Sequence, residues 1–264
     1  MTPDQIRDAA NLLWETWTAQ SRLACLPSDL RPATRSDGYA IQERLESRSA
    51  SALFGWKIAA TSKAGQAHIG VDGPLAGRLL RERAFESGAE IPFGRNHMRV
   101  AEAEFAFRVG LDLPPRATPY SLDEVLAAVA TLHPAIEIPD SRFDDFTAVG
   151  APQLIADNAC GHYFVLGAAA PDTWRQLDLA AHRVTAAIDD TPPREGIGAN
   201  VLGDPRVALT WLVNELSTLN IPIRRGQVVT TGTCVAPLDI APGARVIADF
   251  GALGRVDARL AADV

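Results

Sequence analysis

Cysteine is scarce in this 264-residue chain, with three residues, Cys25, Cys160 and Cys234. They are odd in number, far apart and form no C-x-x-C pair, which argues against a disulfide framework or a thiolate zinc site and leaves reduced thiols. Long apolar runs are missing too: no stretch approaches the roughly 18 residues that a membrane-spanning helix needs. The first residues, MTPDQIRDAANLLW, carry Asp4, Arg7 and Asp8 where a secretion signal is apolar, and this predicts a cytoplasmic location. Basic residues are in deficit, 25 Lys and Arg against 32 Asp and Glu for a formal charge of −7, with no dense basic run. Such a chain repels polyanions, so the expected partner is a small molecule and neither nucleic acid nor an anionic membrane. The motifs G-x-S-x-G, H-E-x-x-H and the P-loop are absent. Gly196-Ile197-Gly198 is followed only by Gly203, too late for a dinucleotide fingerprint, and the five histidines are scattered.

What is present is ample apolar material, 47% of the residues, enough for a sizeable core. Thr2 and Pro3 suit the N-cap and first turn of a helix whose apolar positions are Ile6, Ala9, Leu13 and Trp17. Ser36 and Asp37 open a second helical pattern that runs to about Ser51. These helices make residues 1–52 an N-terminal helical cap region, with 53–264 as the larger domain. FGWKIAAT reads as a strand with one lysine, and Arg99 to Val109 as an alternating strand. Ser121 and Glu124 form a capping box for the helix EVLAAVATL, after which HPAIEIP is extended because Pro134 disfavours helix. Asp204 and Pro205 start a helix with an apolar stripe at Leu209, Leu212, Val213 and Leu216, and the remainder is strand and turn. Regular β-α-β alternation is not evident, so the expected class is α+β around an antiparallel or mixed sheet.

The pleat of the alternating strand places Glu102 and Glu104 on one face, opposite Ala101, Ala103, Phe105 and Phe107. Two carboxylates that close require water or a cation, and Glu137, between Ile136 and Ile138, could add a third oxygen donor from a neighbouring strand. Three such oxygens suit Mg²⁺ or Mn²⁺. Read as ordinary structure, the same residues are a solvated strand face, with Glu137 paired to a base such as Arg142. Lys57 likewise has two readings, an edge-strand lysine extending to water or a buried amine facing an anionic substrate. Thr230 to Thr233 form a hydroxyl-rich turn able to hold a carboxylate, or simply a turn.

Taken in order, GWKIAATSKAGQAHIGVDGPLAGRL, AEAEFAF, PAIEIPDSR, ADNACGHYFVLG, VLGDPRVALTWLVNEL, RRGQVVTTGT and PGARVIADFGALG resemble the 2-keto-4-pentenoate hydratase and 4-oxalocrotonate decarboxylase family of the fumarylacetoacetate hydrolase superfamily. The resemblance runs from about Asp37 to Val256. It implies a mixed β-roll or barrel-like sheet with flanking helices and a small helical N-terminal region. It implies that Glu102, Glu104 and Glu137 bind Mg²⁺ or Mn²⁺, that Lys57 and Asp72 act in catalysis, and that Arg142 and Thr233 contact or support the substrate. It further implies a cytoplasmic homo-oligomer that adds water to a 2-hydroxy-2,4-dienoate, giving a 4-hydroxy-2-oxo acid in aromatic catabolism. The alternatives are decarboxylation of a 2-oxo-3-enedioate, C–C hydrolysis of an acylpyruvate, and a binding protein without catalysis. The chain reads Lys57-Ile58-Ala59-Ala60-Thr61-Ser62 where many relatives have K-I-G-L-T-S, and Asp157-Asn158-Ala159-Cys160 where many have D-N-A-S.

Overall fold

In the computed structural model, residues 1–262 are described. The capping box predicted at Thr2 is present: its hydroxyl accepts from Gln5 N and starts α1 (Pro3–Thr18). Helix α2 (Arg35–Glu43) begins one residue earlier than the sequence pattern indicated, because Thr34 is the N-cap and Asp37 completes the box. It also stops well before Ser51. Beyond it the chain turns so that Leu45 packs beside Trp17 and Leu80, and Glu46 accepts from Arg78 Nε at 2.8 Å.

The chain continues through β1 (Gly55–Ala59), α3 (Lys63–His68), β2 (Leu75–Leu79), β3 (Ala84–Glu86), β4 (Glu90–Ile91) and β5 (Val100–Val109). Next come α4 (Leu122–Ala127), β6 (Val129–Ile138), α5 (Ala151–Ala156), β7 (Tyr163–Leu166), β8 (Arg183–Ile188) and β9 (Arg194–Ile197). Helix α6 (Pro205–Thr218), capped by Asp204 as expected, precedes β10 (Val228–Thr233), β11 (Leu238–Asp239), β12 (Arg245–Asp249) and β13 (Arg255–Leu260). Helix α4 is shorter than predicted. Val129 to Leu132 were read as helix, yet they pair antiparallel with β5 from Phe107 to Val109, and the ladder overrides a weak local helix preference. Pro134 lies inside β6, within the segment expected to be extended, and the strand begins four residues before His133.

Two sheets result. One has eight strands, ordered β2-β1-β10-β5-β6-β7-β3 with β11 also on β5; the other is β4-β13-β12-β8-β9. Three pairings are parallel (β1 with β10, β3 with β7, β4 with β13) and the rest antiparallel, so the class is α+β with mixed sheets, as expected. The sheets share one apolar core, in which Phe105 of β5 meets Phe250 edge to face with centroids 5.1 Å apart. Both rings are fully buried, each worth roughly 1.5–3 kcal/mol in transfer from water. Helix α1 docks through Ala9, Ala10 and Leu13 on Leu26, Ile41, Phe143 and Ala156. Among the described residues, no helix is long and apolar enough to cross a membrane.

Candidate metal centre and active site

The register of β5 on β6 sets Glu102 directly opposite Glu137. Residues so paired project to the same face with Cβ atoms about 5 Å apart, and Glu104, two residues along, shares that face. One carboxylate oxygen from each of Glu102, Glu104 and Glu137 lies within 4.8 Å of the other two. Glu104 and Glu137 are fully buried; Glu102 is half-buried and opens into a cavity.

Strand β10 fixes the orientation of Glu104 from the other side. Its register against β5 shifts between Thr230 and Thr233, and at that irregularity the Gly232 N–H donates to Glu104 Oε2 at 2.8 Å. Thr230 Oγ1 donates to the same oxygen. Gly232 has φ +93°, and a Cβ there would stand 2.0 Å from Thr61 Oγ1, so only glycine fits. We expect Gly232→Ala to cost roughly 2–4 kcal/mol of stability from strain and overlap. It should also weaken divalent-metal binding about 10- to 100-fold by turning Glu104 away, as urea unfolding and a metal titration would measure.

Lys57 comes from β1, opposite Gly77 of β2. A Cβ at Gly77 would lie 2.9 Å from Lys57 Cγ and Cδ, so the glycine leaves the passage that the lysine stem occupies. The amine is buried, with Nζ 3.0 Å from Glu137 Oε1 and donating to the Ala159 carbonyl at 2.9 Å. Of the two readings of this lysine, the buried one holds. Glu137 pairs with it and not with Arg142.

That carbonyl is presented by an unusual turn. Asn158, Ala159 and Cys160 are all left-handed, with φ of +57°, +50° and +59°. The Asn158 side chain ties the turn to β2, accepting from Arg78 N at 2.6 Å and donating to Arg78 O at 2.8 Å. Arg142 secures it from below. Its guanidinium donates to the Asp157 carboxylate and carbonyl, to Asp140 O at 2.8 Å and to Gly161 O at 3.2 Å.

Electrostatics divide the site. Burial, then the mutual repulsion of the carboxylates, raises Glu102 to about 7 and Glu104 well above the ordinary range, with Lys57 opposing. Burial also raises Glu137, against the pull of Lys57. For Lys57 burial acts downward, but Glu137, Glu102 and Glu104 outweigh it and hold the ammonium at about 12. One cation faces three carboxyl groups, and without a metal ion burial and mutual repulsion favour the neutral, protonated forms of Glu102 and Glu104. Glu104 Oε1 and both Glu137 oxygens are buried without a hydrogen-bond donor, since the Lys57 contact is close but poorly aligned. Orphaned, oxygen-only carboxyl donors, which a cation would hold ionised, fit a hard divalent cation.

The cavity, of about 980 Å³, reaches Lys57, Glu102 and Thr233. Thr233 Oγ1 donates to Val235 O at 2.5 Å, so binding a substrate carboxylate through this hydroxyl requires exchanging that partner. Two expectations need correction. Asp72 does not reach the site: its side chain is 91% exposed in the turn between α3 and β2, 3.5 Å from Arg35. Arg142 does not line the cavity, because Asp157 and three carbonyls engage it. Sequence reading missed Asn158 and Gly77 as positioning residues, together with the cavity wall of Met98, Phe146 and Leu154; the segment containing Gly232, read as able to hold a carboxylate, here holds that of Glu104. Cys160 and Cys234 also line it, their thiols pushed up by burial, Cys160 to about 12.

A mixed-sheet α+β fold thus brings three glutamates together beside one buried lysine, with Lys57 and Glu102 opening onto a cavity, an arrangement suited to a hard divalent cation. No family model matches the chain. Individual relatives do. It is 33% identical over 246 residues to the 2-keto-4-pentenoate hydratase of Paraburkholderia xenovorans (strain LB400), covering 92% of this chain and 90% of that one. It is 34% identical over 232 residues to the 2-hydroxyhexa-2,4-dienoate hydratase of Comamonas testosteroni, covering 86% of each. The solved 4-oxalocrotonate decarboxylase from Pseudomonas putida G7, complexed with magnesium and adipate, superposes with a TM-score of 0.88 at 26% identity over 98% of both chains. The chain belongs to the 2-keto-4-pentenoate hydratase and 4-oxalocrotonate decarboxylase family.

Proposed function

We propose that the protein is a Mg²⁺- or Mn²⁺-dependent hydro-lyase that adds water to a 2-hydroxy-2,4-dienoate in aromatic catabolism, yielding a 4-hydroxy-2-oxo acid. The observation that carries this reading is the convergence of Glu102, Glu104 and Glu137 beside a buried Lys57, with Glu102 and Lys57 opening onto a cavity of substrate size. The three glutamates would hold the cation, which when bound supplies Lewis-acid stabilisation of negative charge on a 2-oxo acid's C2 oxygen.

The chain's own residues do the rest. The Lys57 ammonium, fixed by Ala159 O and Glu137, sets a second positive charge at the cavity floor where the enolate develops. Protonation of the dienol at C5 and loss of the C2 hydroxyl proton give the 2-oxo-3-enoate; water then adds at C4 and a proton at C3. Apolar walls keep the anionic end of the substrate in a poorly solvated place, which strengthens its attraction to Lys57. Thr233 stands where a substrate carboxylate can take its hydroxyl, and Arg142 supports the site through the Asp157 to Gly161 turn. We place the enzyme in the cytoplasm as a homo-oligomer, with a small acid as its partner and neither nucleic acid nor membrane.

Decarboxylation of a 2-oxo-3-enedioate is the second reading, favoured by the likeness to the solved decarboxylase. The hydratase relatives at 33–34% identity favour the first. The test is turnover of 2-hydroxypenta-2,4-dienoate followed by ultraviolet absorbance with Mg²⁺ and with a chelator, products being identified by NMR. Metal-dependent formation of 4-hydroxy-2-oxopentanoate is expected. Inertness of the metal-loaded protein toward it, with carbon dioxide released from a 2-oxo-3-enedioate, would replace the first reading by the second.

A further inference from the structure

Two of the three proposed ligands stand at the end of a ladder. Glu102 opposite Glu137 is the last pair in the register of β5 on β6; past it, β5 meets the loop that precedes Val100, and β6 runs on through Ile138 to Pro139 and Asp140. The last rungs of a ladder open first when nothing closes them. Glu102 depends on that end most. Unlike Glu104, whose carboxyl group the Gly232 N–H holds, Glu102 has a carboxyl group that no hydrogen bond reaches among the described residues, so the backbone aims it.

Side chains close the gap between the two strands. The buried Asp140 carboxylate accepts from His97 N at 2.8 Å and Met98 N at 3.3 Å through Oδ1, and from Arg22 Nη2 at 2.6 Å through Oδ2. The same Arg22 nitrogen donates to Arg95 O at 2.9 Å, so the guanidinium grips both sides. Asn96 adds a second tie, donating to Pro139 O at 3.0 Å and accepting from Arg99 N at 2.6 Å. Arg99 is left-handed, with φ +50°, a conformation that lasts only where its neighbours impose it. On the other edge of β5, β11 holds Val100 and Ala101, so these ties share the load and do not carry all of it.

Resting on the metal-dependent reading above, we infer that Asp140 is a positioning residue: its carboxylate, locked by Arg22 from the segment after α1, holds residues 96–99 against the end of β6 and so keeps Glu102 in register with Glu137 for the cation. The hydrogen bonds to His97 N and Met98 N carry the effect, and the ion pair with Arg22 keeps them aimed.

Calorimetric titration with Mg²⁺ and thermal unfolding test this on the parent, Asp140→Ala and Asp140→Asn. Both variants leave Arg22 without its counter-ion, and both should lower Tm by similar amounts, roughly 5–10 °C. Asp140→Ala should weaken Mg²⁺ binding about tenfold or more, as loss of a residue supporting a ligand does. Asp140→Asn keeps an acceptor for His97 N and Met98 N, and its Mg²⁺ affinity should stay within about threefold of the parent. Were the role one of fold stability alone, affinity would follow Tm and the two variants would lose it equally. Asn96→Ala frees the same loop with the ion pair intact; it should weaken Mg²⁺ comparably, and it takes the place of Asp140→Ala should that variant not fold. Unchanged affinity in the alanine variants, or an Asp140→Asn as weak as Asp140→Ala, overturns the inference. A parent that takes up no Mg²⁺ overturns the metal-dependent reading and this inference with it, whereas a parent and variants that all bind equally well remove only the role of Asp140.

Discussion

Glu104→Gln should abolish metal-dependent turnover, lowering kcat/KM by about a thousandfold or more, because Glu104 is a fully buried proposed ligand and the one whose orientation the backbone fixes. The informative readout is thermal unfolding with and without Mg²⁺. A ligand at a hundred times its Kd stabilises the folded state by about 2.7 kcal/mol, which for a chain of this size is roughly 5–10 °C in Tm. The parent protein should gain that increment and the variant almost none. Without metal, the variant should be no less stable than the parent: Gln keeps an oxygen for the Gly232 N–H, and one of three mutually repelling carboxylates is gone. A variant that still responds to Mg²⁺ and turns over substrate removes Glu104 from the metal centre.

Lys57→Met separates charge at the cavity floor from metal binding. Turnover should fall by about a thousandfold, since the positive charge facing the enolate is lost. Stability without metal should drop by about 3–5 kcal/mol at most, the cost of leaving a buried ion pair half-made, reduced to the extent that Glu137 takes up a proton. Affinity for Mg²⁺ should move the other way and tighten about tenfold or more, because a cation beside the carboxylates has been removed. Tighter metal binding with lost activity cannot be produced by misfolding. Equal or weaker binding would mean that Lys57 does not share the field of the glutamates.

The shared face of two of the three proposed metal ligands was legible because a strand has a period of two, whereas their joint assignment with Glu137 came from the family resemblance. Glu102 and Glu104 had to share a face, and Glu137, flanked by isoleucines, had to lie in a buried strand. Capping chemistry was legible for a similar reason, since Thr2, Ser121 and Asp204 act within three residues of themselves. What escaped notice depends on distant partners. Val129 to Leu132 read as helix until β5 lies beside them. Asp72 matched a family position, yet the fold holds its carboxylate in solvent next to Arg35. The role of Gly232 follows from Thr61, a neighbour 171 residues earlier in the chain. For the turn at Asn158 one clue existed: asparagine tolerates the left-handed region better than most residues, but nothing local announces that Ala159 and Cys160 follow it there.

Three successive left-handed residues without a glycine cost about 1–2 kcal/mol apiece, and here the hold on β2, Asp157 and Arg142 offsets that cost. Loosen those ties and the segment relaxes, withdrawing the oxygen that aims Lys57 while the sheets stay intact. Warming should therefore silence the enzyme some degrees before circular dichroism registers any melting, with the amides of residues 158–161 exchanging with solvent ahead of those in β5 and β6. Working life would then be governed by one short spring-loaded bend and not by the stability of the whole chain.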